Sequence, residues 1–259
     1  MTNFDVVITM AGKSSRFSRL GLQVPKWTLT LDSKSMLQLA LESLASFINL
    51  SDNNFHFVTL KEHQSNKHIM SACEMLQIRK FKIYECRITP NGQAMSAFQA
   101  TRELASKTPL IVWNIDTYIL PNQNQFPIVQ GNWMSLCTLP GTHWSFAKLS
   151  DGHVIEIAEK SKISDFASIG LYGFQSSLLF NSLIKGTKVQ KLTEELYIAP
   201  LYNEIISRKL KVLPHFVDSQ FVFPLGTPKE YLSSAEKLSR QIDIRYANFF
   251  PQSVVDELD

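Results

Sequence analysis

Along the first half of the chain, short and nearly continuous apolar runs alternate with stretches in which apolar residues recur every third or fourth position. The runs are Val6-Val7-Ile8, Phe55 to Leu60, Phe81 to Cys86 and Leu110 to Ile115. They are too short for helices and rich in β-branched and aromatic residues, as expected of parallel strands buried on both faces. Between them, Met36 to about Phe47 sets Leu37, Ala40, Leu41, Leu44 and Ile48 on one helical face, with Ser33 or Ser35 as the cap. Helices also read near Gln64 to Leu76 and from Gln93 to about Ala105, and Trp27 to Leu31 reads as a short strand. This β-α-β alternation predicts an open parallel sheet with helices on both sides.

The pattern changes after an Asn-, Gln- and Pro-rich stretch between Pro121 and Trp133, which reads as an exposed connection. Shorter segments follow: Trp133 to Leu139, Ser145 to Leu149 and Val154 to Ala158, with Asp151-Gly152 as a hairpin turn. These predict antiparallel strands covering one side of a cleft. Helices then read near Ser176 to Ile184 and Leu201 to Arg208. The last, Lys229 to about Ile242, has Thr227 as its cap, Pro228 at its first position and Glu230 in its first turn.

Composition narrows the picture. With 259 residues, 44% of them hydrophobic, the chain can bury a full core as a single domain, 1–259. A formal charge of +3 without a long basic run argues against nucleic acid as a partner. Cys73, Cys86 and Cys137 are odd in number and widely spaced, which suggests neither a disulfide framework nor a zinc site. No stretch approaches the roughly 18 apolar residues of a membrane span, so a cytoplasmic protein without a membrane partner is expected. His63 and His68, five residues apart, read as surface residues of a helix that does not bring them together.

Candidate chemistry begins where the first strand ends. The loop from Met10 to Lys26 gathers Gly12, the adjacent Ser14 and Ser15, Arg16 and Pro25-Lys26, and so offers backbone N–H groups, hydroxyls and cations to one small volume, as a polyphosphate needs. Gly12 would let the backbone come close to such a ligand. Gln93 sits beyond the C-terminal end of a strand, where ligands bind in open α/β sheets. On these residues alone it is a helix-start residue. Asp116 ends the most apolar strand, and a carboxylate there calls for a cation partner or acts as a cap. Glu159-Lys160 reads by itself as a surface ion pair.

Ala11-Gly12-x-Ser14-x-Arg16 followed by Pro25-Lys26 resembles the signature loop, Ala-Gly-x-Gly-x-Arg with a later Pro-Lys, of the sugar-phosphate-type nucleotidyltransferases, which make nucleotide sugars and related activated compounds. Ser14 stands where that signature has its second glycine, on the expectation that its backbone angles are ordinary and its hydroxyl free for phosphate. Gly92-Gln93-Ala94, Asn114-Ile115-Asp116, Glu159-Lys160 followed by Gly170, Glu195 with Tyr197, and Gly226-Thr227-Pro228 match further elements in the same order. The spellings are similar to a branch found with capsule and other surface-polysaccharide biosynthesis, which includes cytidylyltransferases, phosphoglutamine cytidylyltransferase among them.

The resemblance implies a Rossmann-like (GT-A-like), open, mixed and mostly parallel sheet with an antiparallel insert on the acceptor side. Residues 1–132 would form a nucleotide-binding half, 133–242 an acceptor-binding half and 243–259 a C-terminal tail. It implies Arg16, Lys26 and Asp116 as catalytic residues, with Asp116 on Mg²⁺. Met10, Ala11, Gly12, Ser14, Ser15, Gly92 and Gln93 would bind nucleotide, and Glu159, Lys160, Gly170 and Glu195 the acceptor. Glu194 competes with Glu195 for that place. The aspartate that commonly completes the metal site is replaced by Pro224, with Asp218 as a nearby substitute.

The implied reaction moves a nucleotidyl group, CMP from CTP by the branch resemblance, to a phosphorylated small molecule and releases pyrophosphate. A nucleotide-sugar-dependent glycosyltransferase is the main alternative, against which stands the absence of an Asp-x-Asp motif at the central strand. A non-catalytic relative is another, suggested by Ser14 and Pro224. Phe249-Phe250 is a candidate interface of a homo-oligomer or a docked tail.

Overall fold

The structure is a computed structural model describing residues 3–48, 53–104, 106–121, 131–188 and 195–238. Phe249-Phe250, Glu194 and most of the 121–133 connection lie outside the described residues.

Four strands form one half of the main sheet: β1 (Asp5–Thr9), β4 (Asn54–Leu60), β5 (Phe81–Cys86) and β6 (Leu110–Asn114). Between β1 and β4 lie α1 (Ser15–Ser18), a hairpin of β2 (Thr30–Leu31) and β3 (Lys34–Ser35), and helices α2 (Met36–Glu42) and α3 (Ala45–Ile48). Helices α4 (Asn66–Met75) and α5 (Gln93–Leu104) follow β4 and β5. β1 pairs in parallel with both β4 and β6, and β4 with β5. The chain leaves β1 towards one edge and returns on its other side, so a topological switch point lies at the C-terminal end of β1.

β7 (Thr117–Ile119) leaves the main sheet. β8 (Asn132–Thr138), β9 (Ser145–Ser150), β10 (His153–Glu159) and β11 (Phe166–Phe174) rejoin it, followed by α6 (Ser177–Lys188), α7 (Leu201–Ser207), β12 (Val212–Phe216), β13 (Val222–Pro224) and α8 (Pro228–Lys237). β11 attaches antiparallel to β6, β8 and β9. β10 is antiparallel to β9, while β12 is parallel to β8. Thus β1, β4, β5, β6, β8, β9 and β12 point one way and β10 and β11 the other: the sheet is mixed, mostly parallel and Rossmann-like, with the antiparallel strands where the sequence puts them. At the β9–β10 turn, Asp151 and Gly152 have φ of 49° and 73°, the left-handed angles of a tight hairpin.

Side chains of β1 alternate between two cores. Val6 and Ile8 join the helices α2 and α4, whereas Val7 faces α5, α6 and α7. A third cluster, with Phe17, Leu29, Leu31, Tyr118, Phe223, Leu225 and Tyr231, lies behind the loop that follows β1. Tyr231 Oη donates to Thr30 O at 2.7 Å, so α8 holds that loop from behind.

Local differences from the sequence reading have identifiable causes. Trp27 is not in a strand; Lys26–Thr28 form a 3-10 turn behind Pro25, and only Thr30–Leu31 are extended. Ser35, not Ser33, caps α2 through a reciprocal capping box with Gln38. The expected single helix is two, because Ser43 Oγ donates back to Leu39 O and accepts from Ile119 N, which diverts the chain at the junction. Gln64, at φ 46°, likewise separates a 3-10 turn from α4. His63 and His68 both meet the buried Trp27, with ring centroids 6.2 and 5.2 Å from it; His68 is exposed on α4 as expected, whereas His63 lies half-buried in the preceding 3-10 turn.

Tyr202 stitches the second half of the sheet. Its buried ring stacks on Phe174 at 4.8 Å, and its hydroxyl lies 2.8 Å from both Trp133 O and Gly173 O. Tyr202→Phe is expected to destabilise the fold by about 1–2 kcal/mol, lowering Tm by a few degrees in calorimetry, since a buried hydrogen bond is lost while packing is kept.

Candidate active site

The C-terminal end of β1 opens into a cleft of two adjoining chambers, about 650 Å³ and about 440 Å³. The residues that the resemblance assigns to catalysis, nucleotide and acceptor line one or both. Arg16, Glu159, Lys160 and Gly170 line the larger, Met10, Ala11 and Gly92 the smaller, and Gly12, Ser14, Ser15, Lys26, Gln93, Asp116 and Glu195 line both.

The loop after β1 is shaped by its own backbone. Met10 N donates to Val58 O at 2.9 Å, which carries the chain straight off the strand. Met10 and Ala11 are buried, so backbone is their main offering to the cleft. A Cβ at Gly12 would meet no protein atom within 4 Å. Glycine is therefore not demanded there by internal packing, and the space in front of it is left to a ligand. Ser14 departs from expectation: its φ of 54° and ψ of 34° are left-handed, a conformation that favours glycine. Its Oγ accepts from Lys26 N at 3.0 Å, so the hydroxyl closes the loop on itself while its own O–H remains a donor.

Lys26 Nζ meets Asp116 Oδ2 at 2.6 Å, with side-chain exposures of 17% and 29%. The cation partner that the sequence required for Asp116 is thus, in the free protein, the lysine of the signature loop. Lys13, Arg16 and Arg19 line the same part of the cleft, giving that end a positive potential.

Two glycines mark close approaches. Gly92, at φ +96°, would place a Cβ 2.3 Å from Leu196 O. The approach that requires glycine is therefore that of the 195–198 segment, rather than that of a base. Gly170, at φ +86° within a bulge of β11, would collide with Asn114 Nδ2 at 2.0 Å. The Asn114 amide occupies the space that such a Cβ would take, and its Oδ1 is buried without a hydrogen-bond partner. Gln93 opens α5 and its Nε2 donates to Thr9 Oγ1 at 3.2 Å.

On the far wall, Glu159 accepts a short hydrogen bond from Ser145 Oγ. Burial pushes its carboxyl above the usual carboxylate range. Lys160 Nζ donates to Tyr197 Oη at 2.8 Å and lies over that ring, and Tyr197 in turn donates to Glu195. This hydrogen bond to Tyr197 holds the Lys160 ammonium above the ordinary lysine range. Pro224 pairs with Thr117 in β13, and its carbonyl accepts from Ser234 Oγ. Asp218 does not substitute for a carboxylate at that position: it caps the 3-10 turn Ser219–Phe221 through Gln220 and does not line the cleft. Glu230 does line it. Its Oε2 accepts from Thr227 N, its Oε1 lies 2.9 Å from His143 Nε2, and its Oε2 and Asp116 Oδ2 each come within 3.3 Å of a Cβ position on Gly226. His143, its ring tilted against Trp144 with centroids 4.5 Å apart, and Glu230 were not assigned to the site from sequence; a cap residue and a loop histidine carry no local sign of facing a cleft.

Comparison with solved structures decides the family. A nucleoside-diphosphate-sugar pyrophosphorylase from Vibrio cholerae RC9 superposes with a TM-score of 0.82 at 30% identity, covering 89% of this chain and 99% of that one. The chain belongs to the sugar-phosphate nucleotidyltransferase family. A UDP-glucose pyrophosphorylase complexed with UDP-glucose (TM-score 0.72, 15% identity, 92% and 99% coverage) shares the family fold. So does the inositol-1-phosphate CTP transferase from T. maritima (TM-score 0.71, 11% identity, 92% and 96% coverage). No known family's sequence profile and no curated protein matches the chain. Among the described residues, no helix is long and apolar enough to cross a membrane.

The residues at the cleft floor fit the magnesium ion that the family resemblance implies. Among the described residues no three His, Cys, Asp or Glu side chains form a metal cage. Magnesium needs none: it is held by one or two carboxylates together with substrate phosphates, and keeps several waters. Asp116 is such a carboxylate, and the unpartnered Asn114 Oδ1 is a further hard oxygen in the same cleft.

Because Glu159 titrates at higher pH in the folded than in the unfolded chain, its contribution to stability is full below the ordinary carboxylate range. It is lost as pH rises through the raised folded value. Glu159→Gln, which keeps an acceptor for Ser145, should therefore raise Tm at pH 7, and the gain should close as pH falls towards about 4 in a pH series of thermal melts.

Proposed function

We propose that this family member transfers a nucleotidyl group, CMP from CTP, to a phosphorylated small molecule or sugar phosphate with release of pyrophosphate. The observation that carries the reading is the Lys26–Asp116 pair. It lies on the floor between a wall of Lys13, Arg16 and Arg19 and a wall of Glu159, Lys160 and Glu195.

An acceptor phosphate oxygen attacks the α-phosphorus; the new O–Pα bond forms as the bond to the β-phosphate oxygen breaks and pyrophosphate leaves. A phosphate monoester, with a second pKa of about 6, is already anionic at neutral pH, so no protein base is needed. Catalysis is then positioning and charge stabilisation. Arg16 grips the departing pyrophosphate with its planar fork. Lys26 exchanges the Asp116 carboxylate for an α-phosphate oxygen, and the carboxylate so released would hold magnesium, so that neither charge would be left unpaired. Bound there by Asp116 and Asn114, magnesium would neutralise charge developing on the phosphates. Lys160, held by Tyr197, receives the acceptor phosphate, while Glu159 and Glu195 accept hydroxyl or amine hydrogens of the acceptor. Met10, Ala11, Gly12, Ser14 and Ser15 offer donors to the triphosphate, and Gly92 and Gln93 border the base. The motif spellings support a role in making surface-polysaccharide or capsule precursors in the cytoplasm.

Calorimetric binding of nucleoside triphosphates with magnesium, followed by pyrophosphate release with a panel of phosphomonoesters, tests the reading. Lys26→Ala should weaken triphosphate binding about 10–100-fold, the worth of a charged hydrogen bond. Lys26→Ala and Asp116→Asn should each lower kcat/KM at least about a hundredfold with the fold retained. Full turnover in either variant, or binding of nucleoside-diphosphate sugars but of no triphosphate, would overturn it.

A further inference from the structure

Lys26 opens a 3-10 turn in which Trp27 is the one buried residue, 2% exposed and part of the core beneath α2 and α4. Trp27 also borders the smaller chamber, yet its Nε1 is sealed from solvent and has no hydrogen-bond partner. That donor therefore serves no ligand in the cleft. The element that comes to the indole from behind is the loop after β4: this strand runs parallel to β1, so the 3-10 turn Lys61–His63 emerges beside the signature loop. The His63 ring lies 6.2 Å from that of Trp27, and His63 Nδ1 is likewise sealed and without a partner. His63 lines neither chamber. A neutral imidazole can leave Nδ1 as a bare acceptor, the complement of a neighbouring indole N–H, whereas an imidazolium would set a second donor and a charge beside it. Burial accordingly holds His63 below the ordinary histidine value, with Glu62 opposing it more weakly. The other titratable or charged groups on the elements around it are Lys61 on its own turn, Lys67, His68, Cys73 and Glu74 on α4, and Lys26 itself. α2, which packs on both α4 and the signature turn, brings only Glu42, paired with Lys34 at 2.7 Å.

We propose that His63 is a positioning residue for Lys26, acting through Trp27: as the neutral imidazole it keeps the signature turn seated, and as the imidazolium it releases it. Both contacts of Lys26, from its N to Ser14 Oγ and from its Nζ to Asp116, depend on where that turn sits. The released turn leaves His63 with its ordinary value of about 6.5, above that of the seated one, so the seat is fully held above this pH and loosens as pH falls through it. One unit lower, the loss has a ceiling of about tenfold. The consequence for substrate rests on the reading of Lys26 as a ligand of the triphosphate.

NMR of the wild type between about pH 8 and about pH 5 follows the His63 imidazole, the Trp27 indole N–H and the Lys26 amide together. The imidazole should titrate below the ordinary histidine value, and the other two signals should move with the same midpoint. Calorimetry of CTP with magnesium should then show affinity falling between about pH 7.5 and about pH 5.5 by severalfold more in the wild type than in His63→Gln, up to the tenfold ceiling. Protonation of the CTP phosphates and of His143 is common to both proteins, so the difference isolates His63. His68→Gln, on the exposed side of α4, should follow the wild type. His63→Phe keeps a ring against Trp27 and cannot be protonated, and it decides the matter should His63→Gln fold poorly. A His63 that titrates at or above the ordinary value, an indole signal that ignores it, or equal pH dependence in the wild type and a folded His63 variant overturns the proposal. Absence of triphosphate binding at every pH overturns the nucleotidyl-transfer reading instead, and the spectra alone then decide whether His63 holds the turn.

Discussion

The Lys26–Asp116 ion pair is the contact on which the cleft depends. It spans 90 residues of sequence and joins the long loop after β1 to the end of β6, the two elements that flank the switch point. Without a partner, Asp116 would be a carboxylate at the end of an apolar strand and Lys26 a partly buried ammonium behind a rigid proline. Each makes the position of the other tolerable. A pair with this exposure adds little to global stability. Its effect is local: the loop carrying Gly12, Ser14 and Arg16 is held over the strand ends instead of lying out in solvent.

Around that pair the two halves of the fold supply opposite chemistry. The parallel half brings lysines, arginines and loop N–H groups; the antiparallel strands bring Glu159 and Lys160 at the end of β10, and the segment before α7 brings Glu195 and Tyr197. β11 connects the halves, pairing with β6 on one side and with β8 and β9 on the other. The bulge at Gly170 brings β11 within reach of Asn114, so the seam between the halves also shapes the cleft floor. Close packing of this kind leaves few ways to move one wall without the other.

Much of this was legible from residue order. Apolar runs located β1, β4, β5 and β6 because doubly buried strands tolerate little else, and Asp151-Gly152 marked the β9–β10 turn because few residue pairs accept its angles. The candidate residues that the fold gathers in the cleft were legible wherever a motif held them at fixed spacing. What was not legible depends on pairings between distant segments. Asp218 and Glu230 are both acids near the end of the chain, and only the packing of α8 against β7 and β13 decides that Glu230 faces the cleft while Asp218 caps a turn. Trp27 reads as a strand residue until His63 and His68 are seen against its ring. Gln93 meets the hydroxyl of Thr9, on a strand 84 residues away, and no local pattern announces that contact.

The departures at Ser14 and Pro224 bear on whether the site is a degraded one. At Ser14 the backbone has the left-handed angles that suit a glycine, the residue that the family signature has there. The conformational cost, of order 1 kcal/mol, is comparable with the net gain from a hydrogen bond such as the one from Lys26 N to Ser14 Oγ. The substitution is therefore close to neutral and adds a hydroxyl to the cleft. At Pro224 a carboxylate is missing, but Glu230 brings one to the same glycine that borders Asp116, held in place by its capping box and by His143. Arg16 lines the same chamber as the Lys26–Asp116 pair. Ser14 thus leaves the loop closed on Lys26, and Glu230 leaves an acid beside Gly226.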